Sequence, residues 1–172
     1  EFSLERFMCA HAIMLSLEGV PAIYINALVG TKNDNIGYEK TNMNRTINRF
    51  KWNINELKSI LEDKNSHHYI KFNVLKRLIK IRRNQPAFHP NADQYTLQLN
   101  KKIFGFYRQS LDRKQTIFCL SNVSKKHHSI SLIDLNIKIS GEWNDLISED
   151  SLEFDDDYLH LKPYQTVWLS NV

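Results

Sequence analysis

Two arginines and a run of asparagines between residues 33 and 49 carry the donors and acceptors best suited to holding a polar ligand. In NDNIGYEKTNMNRTINR, Asn33 and Asp34 come first, Asn42 and Asn44 follow, and Arg45, Asn48 and Arg49 close the run. A guanidinium is a rigid planar fork of N–H donors, the geometry that grips a carboxylate, a phosphate or a pair of sugar hydroxyls. Arg45 is therefore expected to face a ligand. Arg49, beside Phe50, is expected to make an ion pair that fastens the segment. For Asn33 and Asp34 two roles stay open, orienting a substrate or capping a turn of their own loop.

Other chemistries find no support in the residue spacing. No GxGxxG or GxxxxGK phosphate loop occurs. His67–His68 and His127–His128 are adjacent pairs, and sequence neighbours diverge on a helix or strand. Cys9 and Cys119 have no metal spacing and form no disulfide framework. No metal and no cofactor is expected. Both cysteines lie in apolar runs and read as small buried hydrophobes, which fits a reduced, cytoplasmic setting. Acids gather at Glu149–Asp150 and at Asp155, Asp156 and Asp157. Glycoside cleavage needs two carboxylates about 5–10 Å apart on rigid elements, and the Asp155 run reads instead as a turn between two late strands. The alternating pattern of a calcium loop is absent. His89 in QPAFHPNA is expected to be structural, and the sequons at Asn44 and Asn122 carry little weight without a sign of secretion.

The elements that must position the polar run can be read from periodicity. FSLERFMCAHAIMLSL has Phe7, Ala10, Ile13, Met14 and Leu17 on one helical face, with Ser3 as the expected N-cap and Gly19 just past the end. Val20 to Ile25 is apolar on both faces, the mark of a strand in a parallel sheet covered on both sides. A polar loop of about two dozen residues would follow it, and a loop of that length is expected to be functional. Asn53 or Asn55 caps a short helix, and a second helix runs from about Ser66 to Arg83 with Tyr69, Phe72, Leu75, Leu78 and Ile79 as its apolar stripe. Lys76, Arg77, Lys80, Arg82 and Arg83 on that helix read as a solvated face. From Tyr95 onward the period falls to two, and six or seven short strands fit an antiparallel sandwich.

Composition sets the outer limits. At 172 residues, 42% hydrophobic and 24% charged, the chain is ordinary globular material. The net charge of +4 permits a nucleic-acid partner, but its basic residues are interleaved with acids, and none is expected. No membrane association is expected either, since no apolar run approaches the roughly 20 residues a span needs. The opening EFSLERF points to a chain cut from something longer. A doubly buried parallel strand with no second strand in the first half makes the same point. The expected fold is thus an α+β fragment, residues 1–88 containing the orphan strand and its helices and residues 89–172 forming an all-β domain. The orphan strand could also support self-association.

Taken together, GVPAIYINALVGTKND, TNMNRTINR, the QPAFHPNADQ junction and the closing YQTVWLSN resemble the sucrose phosphorylase branch of the α-amylase superfamily. The resemblance spans essentially the whole chain, and its first half is the specific part. It implies that residues 1–88 are the eighth strand and last helices of a (β/α)8 barrel, followed by a C-terminal antiparallel β-sandwich. It implies a retaining double displacement in which an aspartate nucleophile, a glutamate acid–base and a second aspartate lie on earlier strands, with an α-glucoside and phosphate as substrates. Arg45 matches the arginine that helps hold the glucosyl ring, and Asn33 and Asp34 match the ND of the preceding loop. Asn44 departs from the small residue usual there. By itself the chain is expected to be inactive. The alternatives are part of an α-amylase-type hydrolase or a non-catalytic carbohydrate-binding sandwich, for which Trp143, Tyr158, Tyr164 and Trp168 would have to line one face.

Overall fold

Alternation begins near Asp93, and beyond that point every described regular element is a strand. The computed structural model describes residues 1–135, 143–148, 154–155 and 157–172. The strands are β1 (Asp93–Thr96), β2 (Ile103–Gln109), β3 (Thr116–Asn122), β4 (His128–Ser131), β5 (Asn144–Asp145), β6 (Phe154–Asp155), β7 (Tyr158–Leu161) and β8 (Thr166–Ser170). They form two antiparallel sheets, β1-β2-β3-β8-β5 and β4-β7-β6. The eighth strand beyond the expected six or seven is β6. It pairs with β7 through Asp155 and Tyr158. Glu149, Asp150 and Asp156 fall outside the described residues.

The two sheets close on one core. Phe118 and Leu120 of β3 and Val167 and Leu169 of β8 meet Ile130, Leu159 and Leu161 of the second sheet. Burying each such side chain stabilises the fold by about 1.5–3 kcal/mol. β3 is covered on its other face too, where Ile117, Cys119 and Ser121 are buried and helix α1 (Ser3–Ser16) packs. That double burial explains why TIFCLS reads as a nearly unbroken apolar run. Asn122, at the end of β3, is fully buried, and its amide donates to the carbonyls of Lys126, Leu161 and Lys162. It staples together the two connections at which the chain changes sheet, and the sequon there is structural.

Helix α1 starts earlier than expected. Ser3 lies inside it, and Phe2 occupies the cap position with φ 55° and no side-chain cap bond. The Phe2 ring packs on Tyr164 at 5.6 Å, and its carbonyl accepts from the Arg6 N–H, so packing rather than a hydroxyl sets the start. At the other end Gly19 takes φ +83°, a conformation that favours glycine. Two buried arginines close this end. Arg82 donates to the carbonyls of Leu15 and Gly19, and Arg108 to that of Ser16. Arg82 therefore departs from the expected solvated face. Its position on the helix turns it inward, while Lys76, Arg77, Lys80 and Arg83 stay exposed.

Cys9 and Cys119 are free, buried thiols, as their apolar surroundings imply. Burial pushes both thiol pKa values up, that of Cys119 most. Since the thiolate is the reactive form, we expect neither thiol to react with Ellman's reagent at pH 8 in the folded chain, and both to react after unfolding in urea. Rapid labelling without denaturant would show that the sheet face under α1 opens.

Contacts group residues 1–21 with 78–172 as one compact unit and residues 22–77 as another. The second unit holds α2 (Ile25–Leu28), α3 (Asn35–Thr41), a 3-10 turn at Asn44–Asn48, α4 (Ile54–Glu62) and most of α5 (His67–Arg83). Asn53 caps α4 as expected, its side chain accepting from the N–H groups of Asn55 and Glu56. Two expectations need correction here. Val20 to Ile25 is not a paired strand among the described residues. Val20 and Tyr24 are exposed and Ile25 begins α2, because no neighbouring strand offers the ladder an extended apolar segment needs. The long polar loop is likewise broken into short helices, the first nucleated by the Asp34 cap. Among the described residues no helix is long and apolar enough to cross a membrane.

Candidate functional site

The polar run of residues 33–49 is folded back on itself by buried groups that the sequence reading passed over. Asn26, set in the apolar run IYINALV, is buried and donates to the carbonyls of Asn48 and Phe50 at 3.4 and 3.0 Å. The Asp34 N–H donates to the Ile47 carbonyl at 2.6 Å. These bonds hold the C-terminal end of the 3-10 turn on which Arg45 sits. A polar residue inside an apolar strand pattern was the available signal for Asn26.

Asp34 caps α3, accepting from the Gly37 N–H at 2.8 Å. Gly37 is required by this cap, since a Cβ there would collide with the Asp34 carboxylate. Of the two roles left open for Asp34, capping is therefore the one seen. Asn33 is exposed beside it, and both residues border a cleft of about 400 Å³. Phe50, Trp52, His67, His68 and Lys32 are among its other lining residues. Arg45 is exposed and does not line this cleft. Among the described residues neither Arg45 nor Arg49 makes a hydrogen bond or ion pair through its side chain, so the fastening expected of Arg49 is not seen. Asn33 and Asp34 are thus brought together, and Arg45 lies apart from them.

The cleft wall is pinned from behind. The Trp52 indole N–H donates to Thr31 Oγ1 at 2.9 Å, and its ring meets His68 edge-on at 5.1 Å. His68 is buried, with Nδ1 bonded to the Val29 carbonyl at 2.6 Å. Contrary to the divergence expected of adjacent residues, the His67 ring lies 3.8 Å from that of His68. Burial, followed by the charges of His68, Lys71 and Lys32, holds the His67 imidazole below its usual pKa. Gly30 has φ +65°, and a Cβ there would meet the Lys71 stem at 2.5 Å, so that turn needs glycine. Among the described residues no group of three or more His, Cys, Asp or Glu could hold a metal ion. Asp34 is the one carboxylate in the lining, whereas retaining glycoside chemistry uses two about 5–5.5 Å apart.

The aromatic residues proposed for sugar binding by the sandwich do not share a face. Trp168 is fully buried, Trp143 is half-buried against the core with its ring 5.4 Å from that of Phe118, Tyr158 is exposed, and Tyr164 lies in a turn beside Phe2.

No family model matches the chain. It is 35% identical over 164 residues to a glucosylglycerate phosphorylase of Escherichia coli, covering 95% of this chain and 28% of the relative. It is 32% identical over 169 residues to a glucosylglycerate phosphorylase of Allomeiothermus silvanus, covering 98% and 27%. The chain thus spans little more than a quarter of the length of these relatives. Among solved structures, AmyP in complex with maltose superposes with a TM-score of 0.73 at 15% identity, over 96% of this chain and 34% of that one. The α-glucosyl transfer enzyme XgtA gives 0.71 at 13%, over 98% and 36%. At such identities the likeness is one of fold. The chain is a homologue of the glucosylglycerate phosphorylases, and its fold is that of the matching third of α-amylase-type enzymes.

Proposed function

We propose that this chain supplies one wall of the glucosyl subsite, and the supporting β-sandwich, of a retaining α-glucoside phosphorylase. The observation that carries the proposal is the 35% identity to a glucosylglycerate phosphorylase across 95% of the chain. On this proposal residues 1–88 complete a (β/α)8 barrel and residues 89–172 form its C-terminal domain. Val20 to Tyr24, with Val20, Ala22 and Tyr24 exposed and no ladder partner among the described residues, has the character of a strand awaiting neighbours. Arg45 would place its guanidinium fork on the hydroxyls of the glucosyl ring. Asn33 would orient substrate, and Asp34 would act mainly through the cap that shapes the loop. The nucleophile and the acid–base are assigned to the rest of the enzyme, because the cleft described above offers a single, already bonded carboxylate. The lower identities, 13–19%, to transferases and hydrolases of the same fold favour phosphorolysis over hydrolysis only through the contrast with the phosphorylase match.

The test is a chimera in which this chain replaces the corresponding segment of the E. coli relative. The chimera is expected to release glucose 1-phosphate from glucosylglycerate and phosphate, and the 172-residue chain alone is expected to release none. Turnover by the chain alone would overturn the division of labour. A folded chimera that liberates free glucose instead would replace phosphorylase by hydrolase.

A further inference from the structure

Every residue from Asn48 to Lys51 is exposed, so side-chain burial in that stretch does nothing to fix the turn that carries Arg45. Trp52 is the first partly buried side chain after the turn. Three contacts hold it. Its indole N–H donates to Thr31 Oγ1 at 2.9 Å, and its ring meets Phe50 at 4.9 Å and His68 at 5.1 Å, both edge to face. His68 is held in turn, buried on α5 with Nδ1 bonded to the Val29 carbonyl at 2.6 Å.

These contacts close a circuit. The Thr31 N–H donates to the Asn26 carbonyl at 2.8 Å, and the side-chain amide of the same Asn26 donates to the carbonyls of Asn48 and Phe50. The path runs from Asn26 to Thr31, on to Trp52, back along the chain to Phe50 and so to Asn26 again. Linked bonds of this kind strengthen one another, and no member shifts without straining the next. With the indole gone, the Asn26 amide would remain, but the chain beyond Asn48 would be free to pivot about it.

We propose that Trp52 is a positioning residue for Arg45: its indole, bonded to Thr31 and set against His68, fixes the place from which the 44–48 turn presents the guanidinium. The inference rests on the reading of Arg45 as a glucosyl contact. Trp52 acts on it through the backbone, since Arg45 does not border the cleft that Trp52 lines. An indole suits the task, being a large rigid ring with two side-chain torsions and one directional donor.

Two measurements test the role. In the 172-residue chain, Thr31→Val is expected to speed amide hydrogen exchange about tenfold at Thr46 and Arg49, whose N–H groups close the turn, and to leave the β3 amides unchanged. In the chimera with the E. coli relative, Trp52→Ala is expected to lower kcat/KM about 30-fold, and Trp52→Phe, which keeps the ring contacts but loses the donor, about fivefold. The loss falls in whichever of kcat and KM Arg45→Ala changes. On the Trp52→Ala background Arg45→Ala is expected to cost less than about a third of the fold-change it costs on the parent. Thr31→Ser, which keeps the acceptor, is expected to recover most of the activity that Thr31→Val loses. Unchanged exchange in the turn, or a Trp52→Ala loss equally large with and without Arg45→Ala, would overturn the positioning role. So would full activity in Trp52→Phe and Thr31→Val beside an impaired Arg45→Ala. Full activity in Arg45→Ala would remove the glucosyl contact itself, and this inference with it.

Discussion

Replacing Arg108 by methionine is expected to destabilise the chain by about 3–5 kcal/mol, measured as a shift in urea unfolding at neutral pH. Arg108 is completely buried on β2, yet no carboxylate among the described residues is bonded to it. Its guanidinium donates to the carbonyls of Ser16 at 3.0 Å, His89 at 2.8 Å, Ala92 at 3.1 Å and Asp93 at 3.3 Å. One of these is the last residue of α1, whose C-terminal carbonyls favour a cation. His89 and Ala92 belong to the turn leading into β1, and Asp93 is its first residue. Methionine fills much the same volume but leaves four carbonyls without this donor; those of Ser16 and Ala92 are in buried bonds, and each unsatisfied buried carbonyl costs about 1–3 kcal/mol before relaxation. Burial lowers the guanidinium pKa from its usual value, but the fork keeps its donors at neutral pH. Arg108→Lys retains the charge with a single ammonium that cannot span all four acceptors, so it is expected to recover less than half of the loss. A loss below about 1 kcal/mol for Arg108→Met would mean that water enters and satisfies the carbonyls.

What the sequence could and could not disclose follows from where the information lies. Periods of two and 3.6 are local, and they placed β2, β3, α4 and α5 within a residue or two. Asn53 announced its cap because the residue type and its position ahead of a helix suffice. Arg82 and Arg108 were illegible, since nothing local distinguishes a buried arginine bonded to distant carbonyls from a solvated one. Val20 to Ile25 was read from hydrophobicity, but a strand exists only as a ladder, and its partners are not among the described residues. In the candidate site, Asn33, Asp34 and Arg45 stood out as polar residues in one run. The meeting of Trp52 with His68 was missed, because it depends on α5 being held against Val29 by the His68 imidazole. Sequence distance hid the cleft more than residue type did.

In the chimera with the E. coli relative, Arg45→Ala is expected to lower kcat/KM for phosphorolysis by about 10²–10³-fold, roughly 3–4 kcal/mol of transition-state stabilisation. The side chain of Arg45 is exposed, but the backbone just after it is held by the Asn26 amide and the Asp34 N–H. The turn thus offers the guanidinium at a fixed origin, with no competing internal partner among the described residues. If the fork grips glucosyl hydroxyls more strongly as charge develops on the ring, the loss appears in kcat. If it grips substrate and transition state equally, KM rises and kcat stays. Arg45→Lys is expected to recover little, because one ammonium cannot reproduce two parallel bonds. Asn26→Ala separates positioning from contact. It leaves the guanidinium in place and releases the turn, so it is expected to cost activity in the same direction but less steeply, with Arg45→Ala adding less on that background than on the parent. Retention of kcat/KM within about threefold by Arg45→Ala would remove this arginine from the subsite. It would shift the search for the glucosyl contacts to residues outside the 33–49 run.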